Sequence, residues 1–119
     1  LKVSAPFHCS LMKPAAEIMR DKINKTNFQD PQFEIVNNVT AKPETNSKII
    51  KDLLVDQIFS TVRWRESIIN MSDAGVNNFI EIGPGKVLSG MVKRTIKDAN
   101  CFSINSIADI KNFINEFKK

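Results

Sequence analysis

Between Ser10 and Lys25 the apolar residues Leu11, Met12, Ala15, Ile18, Met19 and Ile23 return every three or four positions, the period of one buried helix face. Pro14 stands near the start of that run, where its missing N–H does least harm, so a first helix is expected over 10–25. Asn27 to Gln32 breaks the period. Phe33 to Val39 then reads Phe-Glu-Ile-Val-Asn-Asn-Val and predicts a short strand, because branched side chains suit a pleated surface. After a polar loop over Pro43 to Ser47, helical spacing resumes with Ile49, Ile50, Leu53, Leu54 and Ile58, and Ser47 is the expected N-cap.

The second half alternates in the same way. A helix over 65–74 should stop at Gly75, the residue type suited to a left-handed cap. A strand over 78–82, carrying Phe79-Ile80-Glu81-Ile82, runs into Gly83-Pro84-Gly85, and a helix over 86–99 puts Val87, Leu88, Met91, Val92 and Ile96 on one face. Cys101 to Ile104 predicts a third strand. Ser106-Ile-Ala-Asp109 resembles a capping box and opens a last amphipathic helix with Ile107, Ile110, Phe113, Ile114 and Phe117. Strands alternating with helices predict an α/β fold in which a parallel sheet is covered by helices, since parallel neighbours need long crossovers.

Composition narrows the class. The 119 residues are 42% hydrophobic and 25% charged, the profile of one globular domain with a modest core. A domain of this size buries somewhat over ~60% of its unfolded surface, so a face left bare would leave little stability to spare. The net charge of +4 comes from basic residues spread along the chain, adjacent only at Lys93-Arg94 and Lys118-Lys119. A nucleic-acid binder would carry a dense basic stripe with interleaved aromatics, whereas Tyr is absent and Trp64 stands alone, so no nucleic-acid partner is expected. No apolar run reaches the length of a membrane span and no charged-then-apolar leader is visible, so no membrane partner is expected either. Cys9 and Cys101 lack metal-ligand spacing, and His8 is the only histidine, so no metal site is expected; both cysteines read as reduced thiols of a cytoplasmic protein. Leu1-Lys2-Val3 opens the chain abruptly without an initiator Met, which reads as a fragment.

The candidate chemistry is sparse. Histidine is the one side chain that ordinarily titrates near neutrality, and His8 lies in a loop just ahead of a helix. A general base needs that property together with a group that fixes its tautomer, but on the residues alone a lone histidine at a helix start is more readily structural. Gly83-Pro84-Gly85-Lys86 sits at a strand-to-helix junction, where backbone N–H groups can hold an anion, although it lacks P-loop spacing and a tight turn is the plainer reading. Asn37, Asn38 and Gln57 lie within or beside apolar runs and should have hydrogen-bonding duties. No Gly-x-Ser-x-Gly elbow is present, Ser89-Gly90 falls inside a helix, and Cys9 is too close to His8 in sequence for one to activate the other. A self-contained catalytic centre is therefore not expected.

Five ordered blocks carry a resemblance. Val3-Ser-Ala-Pro-Phe-His-Cys-Ser-Leu-Met-Lys-Pro-Ala-Ala16, Val36-Asn-Asn-Val-Thr-Ala-Lys42, Leu54-Val-Asp-Gln-Ile58, Val62-Arg-Trp64 and Glu81-Ile-Gly-Pro-Gly-Lys-Val-Leu88 are similar, in order and spacing, to the malonyl-CoA:acyl carrier protein transacylases of fatty acid synthesis. The resemblance implies that residues 1–119 are the C-terminal part of an α/β-hydrolase-like large subdomain, with a short parallel sheet flanked by helices and residues 1–8 at the junction with a small ferredoxin-like subdomain. It also implies a Ser-His ping-pong transfer of malonyl from malonyl-CoA to the phosphopantetheine arm of acyl carrier protein, with no cofactor resident in the enzyme.

On that resemblance His8 is the base that takes and returns the serine proton, and Gln57 supplies the backbone carbonyl that orients it. Phe7 matches a residue that favours malonyl over methylmalonyl, since a bulky ring leaves little room for an extra methyl group. Lys93 and Arg94 fall where the family meets its acidic carrier, and positive charge there would speed the encounter. The family's nucleophilic serine, oxyanion glutamine and carboxylate-clamping arginine have no counterparts here, so the remaining N-terminal part of the enzyme is an expected partner and the isolated chain is expected to be inactive. Two alternatives stand beside this reading: a non-catalytic carrier-binding module, and an acyltransferase piece of a polyketide synthase.

Overall fold

The first predicted helix forms in two pieces. Ser10–Met12 is a single 3-10 turn, and α1 (Lys13–Lys25) follows with Pro14 in its opening turn, where no intrahelical N–H is owed. The structure, a computed structural model, describes residues 6–117, and the chain divides into two units, 1–67 and 68–119. Of the junction expected over 1–8, residues 1–5 lie outside the described residues, as do Lys118 and Lys119.

In the first unit α1 packs on α2 (Ser47–Asp56) through fully buried Ala16 and the inward Ile50 and Val55. The two helices run in opposite directions: the Lys13 ammonium lies 5.9 Å from the Phe59 ring beyond the end of α2, while Arg20 pairs with Asp52 at 3.6 Å. The N-cap of α2 is Asn46 and not Ser47. The Asn46 side-chain oxygen accepts from the Lys48 and Ile49 N–H groups at 2.9 and 3.3 Å, and the Ser47 N–H is taken at 2.8 Å by Asp30 from the preceding loop. A carboxylate reaching in from another segment thus completes the cap, and nothing local to residues 46–49 signals it.

The strand expected over 33–39 shrinks to β1 (Ile35–Val36), paired antiparallel with β2 (Pro43–Glu44). Asn37 ends it. Its side-chain oxygen accepts from the Val39 and Thr40 N–H groups at 3.0 and 2.9 Å, and its amide donates to Thr40 Oγ1 and the Lys42 carbonyl. Those bonds offer the backbone an alternative to the ladder and fold it into a turn, closed by Ala41 at φ 57 with no exposed surface. Arg63 ties the turn down, its N–H donating to the Asn38 carbonyl and its guanidinium to the Thr40 carbonyl.

Helix α3 (Trp64–Asp73) carries the chain from the first unit into the second. It ends as expected at Gly75, whose φ of 93 lets Gly75 and Val76 donate back to the Ser72 and Met71 carbonyls. Strands β3 (Asn78–Ile82) and β4 (Asn100–Ile104) then pair in parallel, in register from Asn78 opposite Asn100 to Ile82 opposite Ile104. Between them runs α4 (Val87–Thr95), shorter than the expected 86–99 because Ile96 already has extended backbone. After β4 comes α5 (Ile107–Phe117), opened by the capping box in which the Asp109 N–H donates to the Ser106 hydroxyl and the Asp109 carboxylate accepts from that hydroxyl and from the Asn105 N–H.

Successive strand residues face opposite sides, so β4 shows which helix covers which face. Ser103 meets Ser89 of α4 at 3.0 Å, and Phe102 meets Phe113 of α5 edge to face at 5.3 Å. The second unit is therefore the predicted α/β arrangement, a short parallel sheet flanked by helices. Among the described residues no helix is long and apolar enough to cross a membrane.

Candidate active site

His8 lies between two fixed points. Its backbone has φ 55, the left-handed region that side-chain-bearing residues enter only when their surroundings hold them there. On the C-terminal side, the Met12 N–H donates to the Cys9 carbonyl at 2.9 Å and starts the 3-10 turn. On the N-terminal side, the Cys9 thiol donates to the Pro6 carbonyl at 3.1 Å.

The imidazole meets the far end of α2. Gln57 is the C-cap of that helix, its own N–H spent on Leu53, and its carbonyl is among those that a helix terminus leaves without an intrahelical partner. His8 Nδ1 lies 2.9 Å from that carbonyl oxygen. A carbonyl can only accept, so Nδ1 carries a hydrogen, and in the neutral ring it is Nε2 that has the lone pair. His8 is exposed, and among the described residues no hydrogen-bond partner meets Nε2. The arrangement can take a proton at Nε2 while the ring stays anchored through Nδ1. Phe7, the residue before His8, is 56% exposed.

The Gly83-Pro84-Gly85 turn is arranged differently. Gly83 and Gly85 have φ of 133 and 99, and their N–H groups are taken by the Ile104 carbonyl and the Asn105 side chain. In the first turn of the helix that follows, Glu81 accepts from the Leu88 and Ser89 N–H groups at 3.2 and 2.8 Å and from the Ser89 hydroxyl at 2.7 Å. The Ser89 N–H, then its hydroxyl, hold the Glu81 carboxyl below its ordinary value, with burial pulling the other way. An internal carboxylate thus occupies the place an anion would take, and the segment is a tight turn.

Lys93 and Arg94 stand exposed in the last turn of α4, where positive charge also complements the helix end. Lys93 borders a cleft of about 290 Å³ with Lys86, Ser89, Gly90, Cys101 and Ser103. Burial pushes the Cys101 thiol up, opposed by the nearby Lys93 charge. The structure thus brings Phe7, His8 and Gln57 together in the first unit, while Lys93 and Arg94 belong to the second.

Cys9 and Glu81 have structural roles that residue chemistry alone did not assign. The signal for Glu81 was present: an acid on the same strand face as Phe79, shortly before a helix start. For Cys9 the signal was only its spacing of three from the Pro6 carbonyl.

Comparison with known proteins bears on this arrangement. No protein-family model matches the chain. A malonyl CoA-acyl carrier protein transacylase of Staphylococcus aureus strain MSSA476 is 43% identical over 113 residues, covering 95% of this chain and 37% of that protein. Over almost its whole length the chain is thus similar to part of a malonyl transacylase. The transacylase of the same name from Haemophilus influenzae is 42% identical over 117 residues, 98% of this chain and 37% of its own length. Among solved structures, the acyl-carrier-protein-S-malonyltransferase of Bartonella henselae superposes with a TM-score of 0.93 at 39% identity, over 100% of this chain and 38% of that one. A malonyl-transacylase solved in complex with its type II PKS acyl-carrier protein gives 0.89 at 38% identity, over 98% of this chain and 38% of that one. The chain therefore spans a little over a third of the length of the relatives it matches.

Proposed function

We propose that this chain supplies the general base of a malonyl transfer from coenzyme A to the phosphopantetheine thiol of an acyl carrier protein, as the C-terminal part of a transacylase. The observation that carries the reading is the anchored imidazole: Nδ1 spent on the Gln57 carbonyl, Nε2 open. A serine supplied by polypeptide outside these 119 residues loses its proton to His8 Nε2 as its Oγ attacks the malonyl thioester carbonyl. The C–S bond breaks and the coenzyme A thiolate takes that proton. The carrier's thiol then gives its proton to Nε2, its sulfur attacks the seryl ester, and the serine leaves with the proton returned. No resident cofactor enters either half.

Several features support this. The Gln57 carbonyl can keep accepting from Nδ1 while Nε2 gains and loses its proton, so the ring need not turn between half-reactions. Ser89 has its hydroxyl committed to Glu81, which leaves it unsuited to be the nucleophile. In this reading Phe7, adjacent to His8 in the chain, narrows the room beside the reacting carbon, and Lys93 with Arg94 offers charge to an acidic carrier. The relatives' names, and the neighbour solved with its carrier protein, support this choice of substrate and partner.

The test joins this chain to the remainder of a related transacylase and follows malonyl loading by intact-mass spectrometry. His8→Ala should slow loading by about 10²–10⁴-fold, the usual contribution of a positioned base, with the fold retained. Loading at the parent rate in that variant would overturn the reading, as would a stable malonyl ester on a serine of the isolated 13.4 kDa chain.

A further inference from the structure

We infer that Cys9 is a positioning residue for His8, acting through its thiol hydrogen bond to the Pro6 carbonyl; the inference deepens, and rests on, the reading of His8 as the base. The Gln57 carbonyl holds one atom of the ring, Nδ1, and leaves the backbone that presents the ring undetermined. That backbone sits at φ 55, a conformation unfavourable for a side-chain-bearing residue, which relaxes unless something opposes it.

Cys9 supplies the opposition from both directions. Its side chain reaches back over His8 and Phe7 to the Pro6 carbonyl at 3.1 Å, and its own carbonyl accepts from Met12 at 2.9 Å. The strained residue is thereby clasped between the incoming chain and the start of the 3-10 turn, by bonds that His8 does not itself make. A thiol is a weak donor, so the clasp adjusts geometry without deciding the fold. Serine can make the same bond; alanine cannot.

The chain contains one histidine, so its ring nitrogens give an unambiguous spectroscopic signal. Long-range ¹H–¹⁵N spectra of the 119-residue chain at alkaline pH should report the Nδ1–H tautomer for the parent and for Cys9→Ser. In Cys9→Ala the two nitrogen shifts should move toward each other as the other tautomer becomes populated. In the joined enzyme Cys9→Ala should lower kcat about 3–10-fold with KM unchanged, and Cys9→Ser should restore it. If Cys9→Ala does not fold, methylthiolation of Cys9 in a Cys101→Ser background removes the S–H without changing the residue, and the same convergence of shifts is expected. Parent-like shifts in a folded Cys9→Ala or methylthiolated chain would overturn the inference, as would a folded Cys9→Ser that behaves like alanine. Because the shifts report ring geometry and not turnover, loss of the base reading through an active His8→Ala enzyme would be seen separately.

Discussion

The His8 loop and the Gly83-Pro84-Gly85 turn both bend the chain shortly before a helix, and they do so by opposite means. The glycine turn uses residues that reach φ of 133 and 99 without steric cost, and a Cβ at either position would meet nothing within 4 Å. Its donors are taken by Ile104 and Asn105, and those of the helix that follows by Glu81. The His8 loop places a side-chain-bearing residue at φ 55, anchors one ring nitrogen and leaves the other open at an exposed position. One turn is relaxed, with both glycine N–H groups bonded; the other is strained and has a ring nitrogen with no partner among the described residues. Strain kept beside an unspent group is where chemistry is to be sought, because such strain persists only if the surroundings enforce it.

The contrast can be broken experimentally, the largest effect first. Gly83→Ala should destabilise the chain by about 1–3 kcal/mol in urea unfolding, entirely through backbone strain because the space for a methyl group is open. An unchanged midpoint would mean that the turn does not require its positive φ. Glu81→Gln should cost less, since the amide oxygen still accepts from Ser89, and its mark is pH dependence. The Glu81 carboxyl is held below its ordinary value of 4.5, so its contribution is present above that value and fades as pH falls through the lowered folded value. Thermal melts from neutral pH down to about pH 3 should show the parent losing stability more steeply than the variant. Residual acid sensitivity remains from Asp30, lowered mainly by the Ser47 N–H, and Asp109, lowered mainly by the Asn105 N–H. Parallel melts would remove Glu81 as the cap of α4. Smallest is His8→Gly: relief of the left-handed strain and the added backbone entropy of glycine oppose each other, leaving stability within about 0.5 kcal/mol of the parent. A large loss by calorimetry would show that the imidazole holds the loop, and not the loop the imidazole.

Much of this architecture was legible in the chain because its causes are local. Helical spacing from Ala15 to Ile23, the stop at Gly75, the Ser106 and Asp109 box and the alternation that makes β3, α4 and β4 all act within a few residues, where backbone geometry leaves few choices. The misreadings have one cause. Asn37 truncates β1 by bonding the N–H groups two and three residues on, Asn46 and not Ser47 caps α2 while Asp30 takes the Ser47 N–H, and Glu81 occupies the α4 terminus; each is a polar side chain whose choice among possible partners the hydrophobic pattern does not encode.

By itself, then, the sequence determined which segments are helical, which faces are apolar, and that His8 is the single histidine available to act as a base. That Nδ1 rather than Nε2 is the anchored atom follows from a carbonyl 49 positions away. Residue chemistry could not supply that pairing; only the resemblance named Gln57 for it. It exists because α1 and α2 pack in opposite directions through Ala16, Ile50 and Val55, bringing the start of one beside the end of the other. Burial of apolar faces is specified residue by residue along the chain, but the meeting of two helix ends is a property of their packing, and the tertiary structure alone decides it.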